Sequence, residues 1–311
     1  GFVDEIKRMK DILTCIGTGI DATYDVEEID ARVTLMEELC DRVSGVDNGG
    51  DLHTLGGVEP LVRYVASSPH ARLRAAAAEV LGTTVQNHPN AQEAALGCDA
   101  MGPLLRMAAG EGTDAPPTDA AESSTADDAS KEKTLVKARV KALFALSCLL
   151  RGCVKAQEAF QLGDGFALLK QCLRVDHNRL RTKALHLARH LATLNMKYMN
   201  ACVESGYVLA AAASLAGSLP RVLDAPVDTN AFTDEDIERG QVREAALRLM
   251  VDVAQKVDYA AVPKAVDHLR SAVVVGAINA VGKAYTRFGL EEKETYRDEM
   301  TLCAQLAKMF E

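Results

Sequence analysis

His186 and His190 stand four residues apart in a helix-forming stretch, the spacing at which metal-dependent hydrolases place two imidazoles on one helix face. Such a pair needs a glutamate directly after the first histidine as general base, and Leu187 occupies that place. The two read as surface or partly buried histidines. Gly17 and Gly19 in CIGTGI lack the third glycine and the preceding strand of a dinucleotide loop. The eight cysteines are scattered through apolar helical patterns with no CxxC pair, as reduced core residues are. There is no nucleophile elbow and no phosphate-cradling glycine loop. The chain is therefore expected not to be an enzyme, and to require no cofactor and no metal.

What remains is charge at a repeated position. Arg63, Arg106 and Lys170 each follow a pair of apolar residues, Leu61-Val62, Leu104-Leu105 and Leu168-Leu169. If the pairs fill a core, the basic side chains point away from it, toward a partner with acidic and polar surface. The plainer reading of any one of them is solvated helix surface.

The elements that position these residues recur. ARVKALFALSCLLRG at 138–152 carries apolar residues at the three-and-four spacing of a buried helical face. Its opening returns as LRAAAA at 73–78, LRTKAL at 180–185, VREAAL at 242–247 and, more loosely, ARVTLM at 31–36. The arginines Arg32, Arg74, Arg139, Arg181 and Arg243 are spaced by 42, 65, 42 and 62 residues. The two long intervals contain polar, proline-bearing stretches at 110–134 and 218–238, and removing these leaves a period of about 42 throughout. The apolar pairs repeat independently: with Leu209-Ala210 as the fourth, they recur at intervals of 43, 64 and 41. Each unit is thus a helix with the arginine, a short middle helix such as NAQEAAL (90–96), and a third helix with the apolar pair.

A period near 42 with three helices per unit predicts an all-α, armadillo-repeat fold, a right-handed superhelical solenoid whose inner wall is lined by the third helices. The expected layout is a helical cap over 1–26, two repeats over 27–109, an acidic disordered insertion over 110–134 and two repeats over 135–217. A loop at 218–238, the start of a divergent fifth repeat at 239–262 and a second cap over 263–311 complete it. Because the arginine recurs in every unit, Arg74, Arg139 and Arg181 read as structural, as contacts between repeats.

Composition narrows the partner. With 35 basic and 44 acidic residues the net charge is -9, the wrong sign for binding nucleic acid. No apolar run suffices for a membrane span. A cytoplasmic, monomeric protein is the expectation. Armadillo importins and catenin-like scaffolds hold extended peptides with ladders of asparagine and tryptophan, and this chain has no tryptophan.

ARVKALFALSCLLRG and LGTTVQN (81–87) resemble the armadillo-type nucleotide exchange factors of heat shock protein 70. MKDIL (9–13), DNGGDLHTLGGVEPLV (47–62) and TYRDEMTLCAQLAKMF (295–310) extend the resemblance, in order, over most of the chain. It implies a co-chaperone whose concave face holds one lobe of the ATPase domain of heat shock protein 70 and promotes ADP release. The alternative is a non-catalytic scaffold or transport adaptor. The resemblance brings in Asn87, at the end of LGTTVQN, and Arg151, and it supports Arg106; with Arg63 and Lys170 these form the expected partner-binding set. Asn87 has a competing role as a helix C-terminal cap, and Arg151 as a cation offsetting the negative end of its helix.

Overall fold

The computed structural model describes residues 2–45, 48–111, 125–218, 233–286, 294 and 296–310. Among the described residues the regular structure is helical. The chain divides into two compact units, Gly1–Leu168 and Leu169–Glu311.

The first unit opens with α1 (Phe2–Ile16). Three-helix groups follow: α2 (Val26–Val43), α3 (Asn48–Thr54) and α4 (Val58–Ser67), then α5 (Ala71–Val85), α6 (Pro89–Gly97) and α7 (Met101–Ala109). α8 (Thr125–Leu150), α9 (Val154–Leu162) and α10 (Gly165–Leu169) form the third group. First helices pack on first helices, α2 on α5 and α5 on α8, while the third helix α4 packs on α7. The alanine run 75–78 makes the α5 face thin and buried, so large side chains of its neighbours approach its backbone closely. Gly82 completes that face: a β-carbon there would lie 2.7 Å from the Phe144 ring of α8.

The second unit begins with a 3-10 turn, Lys170–Arg174. It continues with α11 (Asn178–Ala192), α12 (Met196–Glu204) and α13 (Tyr207–Gly217), then α14 (Asp234–Lys256), α15 (Lys264–Leu269) and α16 (Ala272–Thr286), and closes on α17 (Arg297–Phe310). Here too α11 packs on α14 and α13 on α16, and α17 covers α14 and α16.

The recurring arginines have one job in both units. Each lies in a first helix and donates to the carbonyls that end the helical segment before it, groups left without intrahelical partners. Arg74 reaches Ser68 O at 2.7 Å, and Arg139 reaches Ala108 O and Ala109 O, both at 2.9 Å. Arg181 reaches Leu173 O at 3.3 Å and Arg243 reaches Ser218 O at 2.6 Å. Arg32 does the same to the end of α1, through Thr18 O at 3.0 Å. Each is a contact made within its own unit, between a first helix and the helical segment before it.

Three boundaries differ from the sequence reading. The expected insertion 110–134 falls mostly outside the described residues, but its last ten residues are the start of α8, whose helix begins at Thr125. Likewise the end of the expected loop 218–238 is helical, because Thr233 caps α14 through a reciprocal bond with Asp236. Residues 263–286 are not cap. α15 and α16 are the second and third helices of the fifth group, since Val274, Ile278, Val281 and Tyr285 give α16 a buried face against α13.

Candidate partner-binding surface

The candidate surface in the first unit rests on α4 and α7. Along α4, Val58, Leu61, Val62, Tyr64 and Val65 are buried, which leaves Glu59, Arg63, Ala66 and Ser67 exposed. Along α7, Met101, Pro103, Leu104, Leu105 and Met107 are buried and Arg106 is exposed. The apolar pair and the outward basic residue of each third helix therefore follow from one amphipathic pattern. α4 packs on α7, so Arg63 and Arg106 belong to adjoining helices.

Their surroundings differ. Arg63 faces Asp21 of the α1–α2 loop at 3.4 Å. Arg106 lies over Gly102, where a β-carbon would come within 3.2 Å of its guanidinium, and makes no ion pair among the described residues. Glycine one turn earlier lets the guanidinium lie along the helix.

Lys170, in the second unit, is spent internally. Its ammonium is half-buried and donates to Ser205 O at 2.6 Å, the carbonyl that ends α12. At the next equivalent place Ala211 is fully buried. The basic series thus presents open side chains at Arg63 and Arg106 and a tied one at Lys170.

Asn87 and Arg151 occupy the corners between first and second helices. Asn87 is exposed with φ at +57°, directly after the cap residue of α5, and Gly152 takes φ +72° at the same step after α8. A left-handed residue there ends the helix, and asparagine is the side chain after glycine that tolerates it. The Arg151 side chain is exposed. The negative end of its helix is satisfied instead by two buried glutamine amides. Gln92 donates to Cys148 O at 2.9 Å and Arg151 O at 3.0 Å, and Gln157 donates to Leu150 O at 2.9 Å. The sequence signal for this pair is AQEA, present at 91–94 and again at 156–159.

Sequence reasoning missed two further residues of the surface. Asp21 holds Arg63, and the Ser67 hydroxyl donates to the same carboxylate. The contacts span 42 and 46 residues, and no local pattern announces them. The expected histidine pair is exposed on α11. Among the described residues no group of three histidine, cysteine or acidic side chains is arranged to hold a metal ion.

No family model matches the chain. It is 27% identical over 212 residues to Hsp70-binding protein 1 of Rattus norvegicus, covering 66% of this chain and 52% of that protein. It is also 27% identical over 160 residues to the Hsp70 nucleotide exchange factor FES1 of Mycosarcoma maydis, covering 51% of this chain and 35% of the relative. The chain spans about half the length, or less, of the curated relatives it matches. Among solved structures, computationally designed armadillo repeat proteins for modular peptide recognition superpose with a TM-score of 0.61 at 13% identity, over 97% of this chain and all of theirs. The fold is the all-α armadillo-repeat fold, and over about two thirds of its length the chain is similar to Hsp70-binding proteins.

Proposed function

We propose that this chain is a nucleotide exchange factor for Hsp70: it binds the chaperone's ATPase domain through its third-helix face and promotes release of ADP. The similarity to Hsp70-binding protein 1 and to the exchange factor FES1, on an armadillo fold, carries this reading. The exposed Arg63 and Arg106 on adjoining third helices supply basic contacts for an acidic face of the partner. The protein contributes no bond-breaking step; its work is differential binding.

The thermodynamics constrain the mechanism. A factor that weakens ADP binding is itself weakened by ADP to the same degree. The chaperone then binds this chain best when its nucleotide cleft is open, and nucleotide that closes the cleft ejects the factor. A packed armadillo unit suits such selection, because close-packed helices favour one arrangement of the partner without deforming to suit others. On this reading the chain acts in the cytoplasm, as a monomer.

The test is release of fluorescently labelled ADP from the Hsp70 ATPase domain. Acceleration that saturates with this protein supports the reading, and an unchanged rate at saturation refutes it. In that event a passive scaffold, which binds a partner and leaves its nucleotide alone, takes its place.

A further inference from the structure

The loop joining α1 to α2, residues 17–25, is built to present one side chain. The Tyr24 hydroxyl donates to Gly19 O at 2.7 Å, and the Ala22 N–H closes a turn on the same carbonyl at 2.9 Å. Gly19 sits at φ +65°, with the Tyr24 hydroxyl filling the space a side chain would need. Two anchors fix the loop from outside. Arg32 donates to Thr18 O at 3.0 Å, and the Tyr24 N–H donates to His70 Nε2 at 2.9 Å, at the start of α5. The guanidinium of Arg32 also lies over the Tyr24 ring, 4.3 Å from its centre.

The side chain so presented is Asp21. One carboxylate oxygen accepts from the Ser67 hydroxyl and the other faces the Arg63 guanidinium at 3.4 Å. Arg63 and Ser67 are one helical turn apart on α4, so together they form a two-point receptor for a carboxylate, filled from within the chain. The receptor is open to solvent: the Arg63 and Asp21 side chains are 53% and 59% exposed. An exposed pair of this kind is held weakly and exchanges readily for a better-placed carboxylate. Arg106, on the adjoining helix, has no such internal occupant among the described residues.

We propose that Asp21 is an internal competitor for an acidic side chain of the protein partner. On binding, a partner aspartate or glutamate takes the place of Asp21 on Arg63 and Ser67, while Arg106 is available from the outset. The inference rests on the third-helix face being the partner surface. Exchanging one carboxylate for another adds little net affinity, and a partner with no acid at that point leaves Arg63 paired with Asp21 and gains nothing there. Arg106 then drives encounter, and Arg63 is engaged only by a carboxylate placed well enough to displace Asp21.

The experiment uses the intact chain, its Asp21→Asn variant and the double variant Asp21→Asn/Arg63→Gln, each checked for an unchanged unfolding midpoint. Two probes are titrated at low salt: a hexaglutamate peptide and the Hsp70 ATPase domain. Asp21→Asn keeps the shape and removes the charge, so it is expected to tighten hexaglutamate by about two- to fivefold, the worth of an exposed ion pair. Arg63→Gln in that background should cancel the gain. If Asp21→Asn leaves hexaglutamate binding unchanged, weaker or absent, the internal competitor is overturned. If hexaglutamate responds as expected while no variant binds the ATPase domain, the exchange-factor reading fails and the competitor stands.

Discussion

The two units put the same kind of residue at the same place in the repeat and use it differently. In residues 1–168 the basic residue after the apolar pair is exposed, at Arg63 and Arg106; in residues 169–311 Lys170 is bonded to Ser205 O and Ala211 is buried. The seam arginines diverge as well. Arg139 bonds helix-ending carbonyls, whereas Arg243 at 1% exposure adds Glu299 of α17 at 2.8 Å, with the Tyr285 hydroxyl bonded to the same carboxylate. Register in a repeat fixes where a side chain starts; its neighbours decide whether it is available. The first unit leaves its third-helix cations Arg63 and Arg106 exposed, and the second bonds Lys170 and Arg243 within itself.

The largest test of that contrast is Glu299→Ala. It leaves the Arg243 guanidinium buried without its counter-charge, and should lower unfolding free energy in urea by about 3–5 kcal/mol. Burial already pushes the Glu299 carboxyl upward in pKa against the pull of Arg243, so Glu299→Gln should cost less than Glu299→Ala.

At the helix corners, Asn87→Val forces a β-branched residue into the left-handed region and should cost about 1–2 kcal/mol. Asn87→Gly is expected to be close to neutral by the same measurement, as a pure cap role requires. Lys170→Met should cost about 1 kcal/mol by removing the bond to the end of α12. The comparable change Arg106→Met should leave stability unchanged.

The smallest expected effect depends on pH. Burial, helped by the nearby Arg74, lowers the pKa of His70, whose Nε2 must be unprotonated to accept the Tyr24 N–H. The unfolded chain then takes up the proton first on acidification. The stability from this contact is therefore present above about pH 6.5 and lost as the pH falls through the folded value. Thermal midpoints should fall more steeply between pH 7 and pH 5 in the wild type than in His70→Gln.

Much of this architecture was legible in sequence because the seam arginine returns at a fixed step, and it does so because every unit must satisfy the carbonyls that end the preceding helix. The fifth group was harder to read. Its third helix lacks the leucine pair, and its buried face is carried by Val274, Ile278, Val281 and Tyr285 instead. Of the surface residues, Arg63 and Arg106 were visible as polar interruptions of an apolar pattern. That Lys170 is occupied by Ser205 O was not, since the contact spans 35 residues and involves a backbone atom, which no side-chain pattern encodes. Asp21 escaped notice for the related reason that a lone aspartate in a loop looks like any solvated charge until the fold brings α4 beside it.

The direct test of the central claim is titration of the Hsp70 ATPase domain with the wild type, Arg106→Glu and Lys170→Met under one set of conditions. The account predicts that Arg106→Glu weakens binding by about 1–3 kcal/mol, as loss of an interface anchor does, while Lys170→Met stays within about twofold of the wild type. Equal losses from both substitutions, or a larger loss from Lys170→Met, would contradict it.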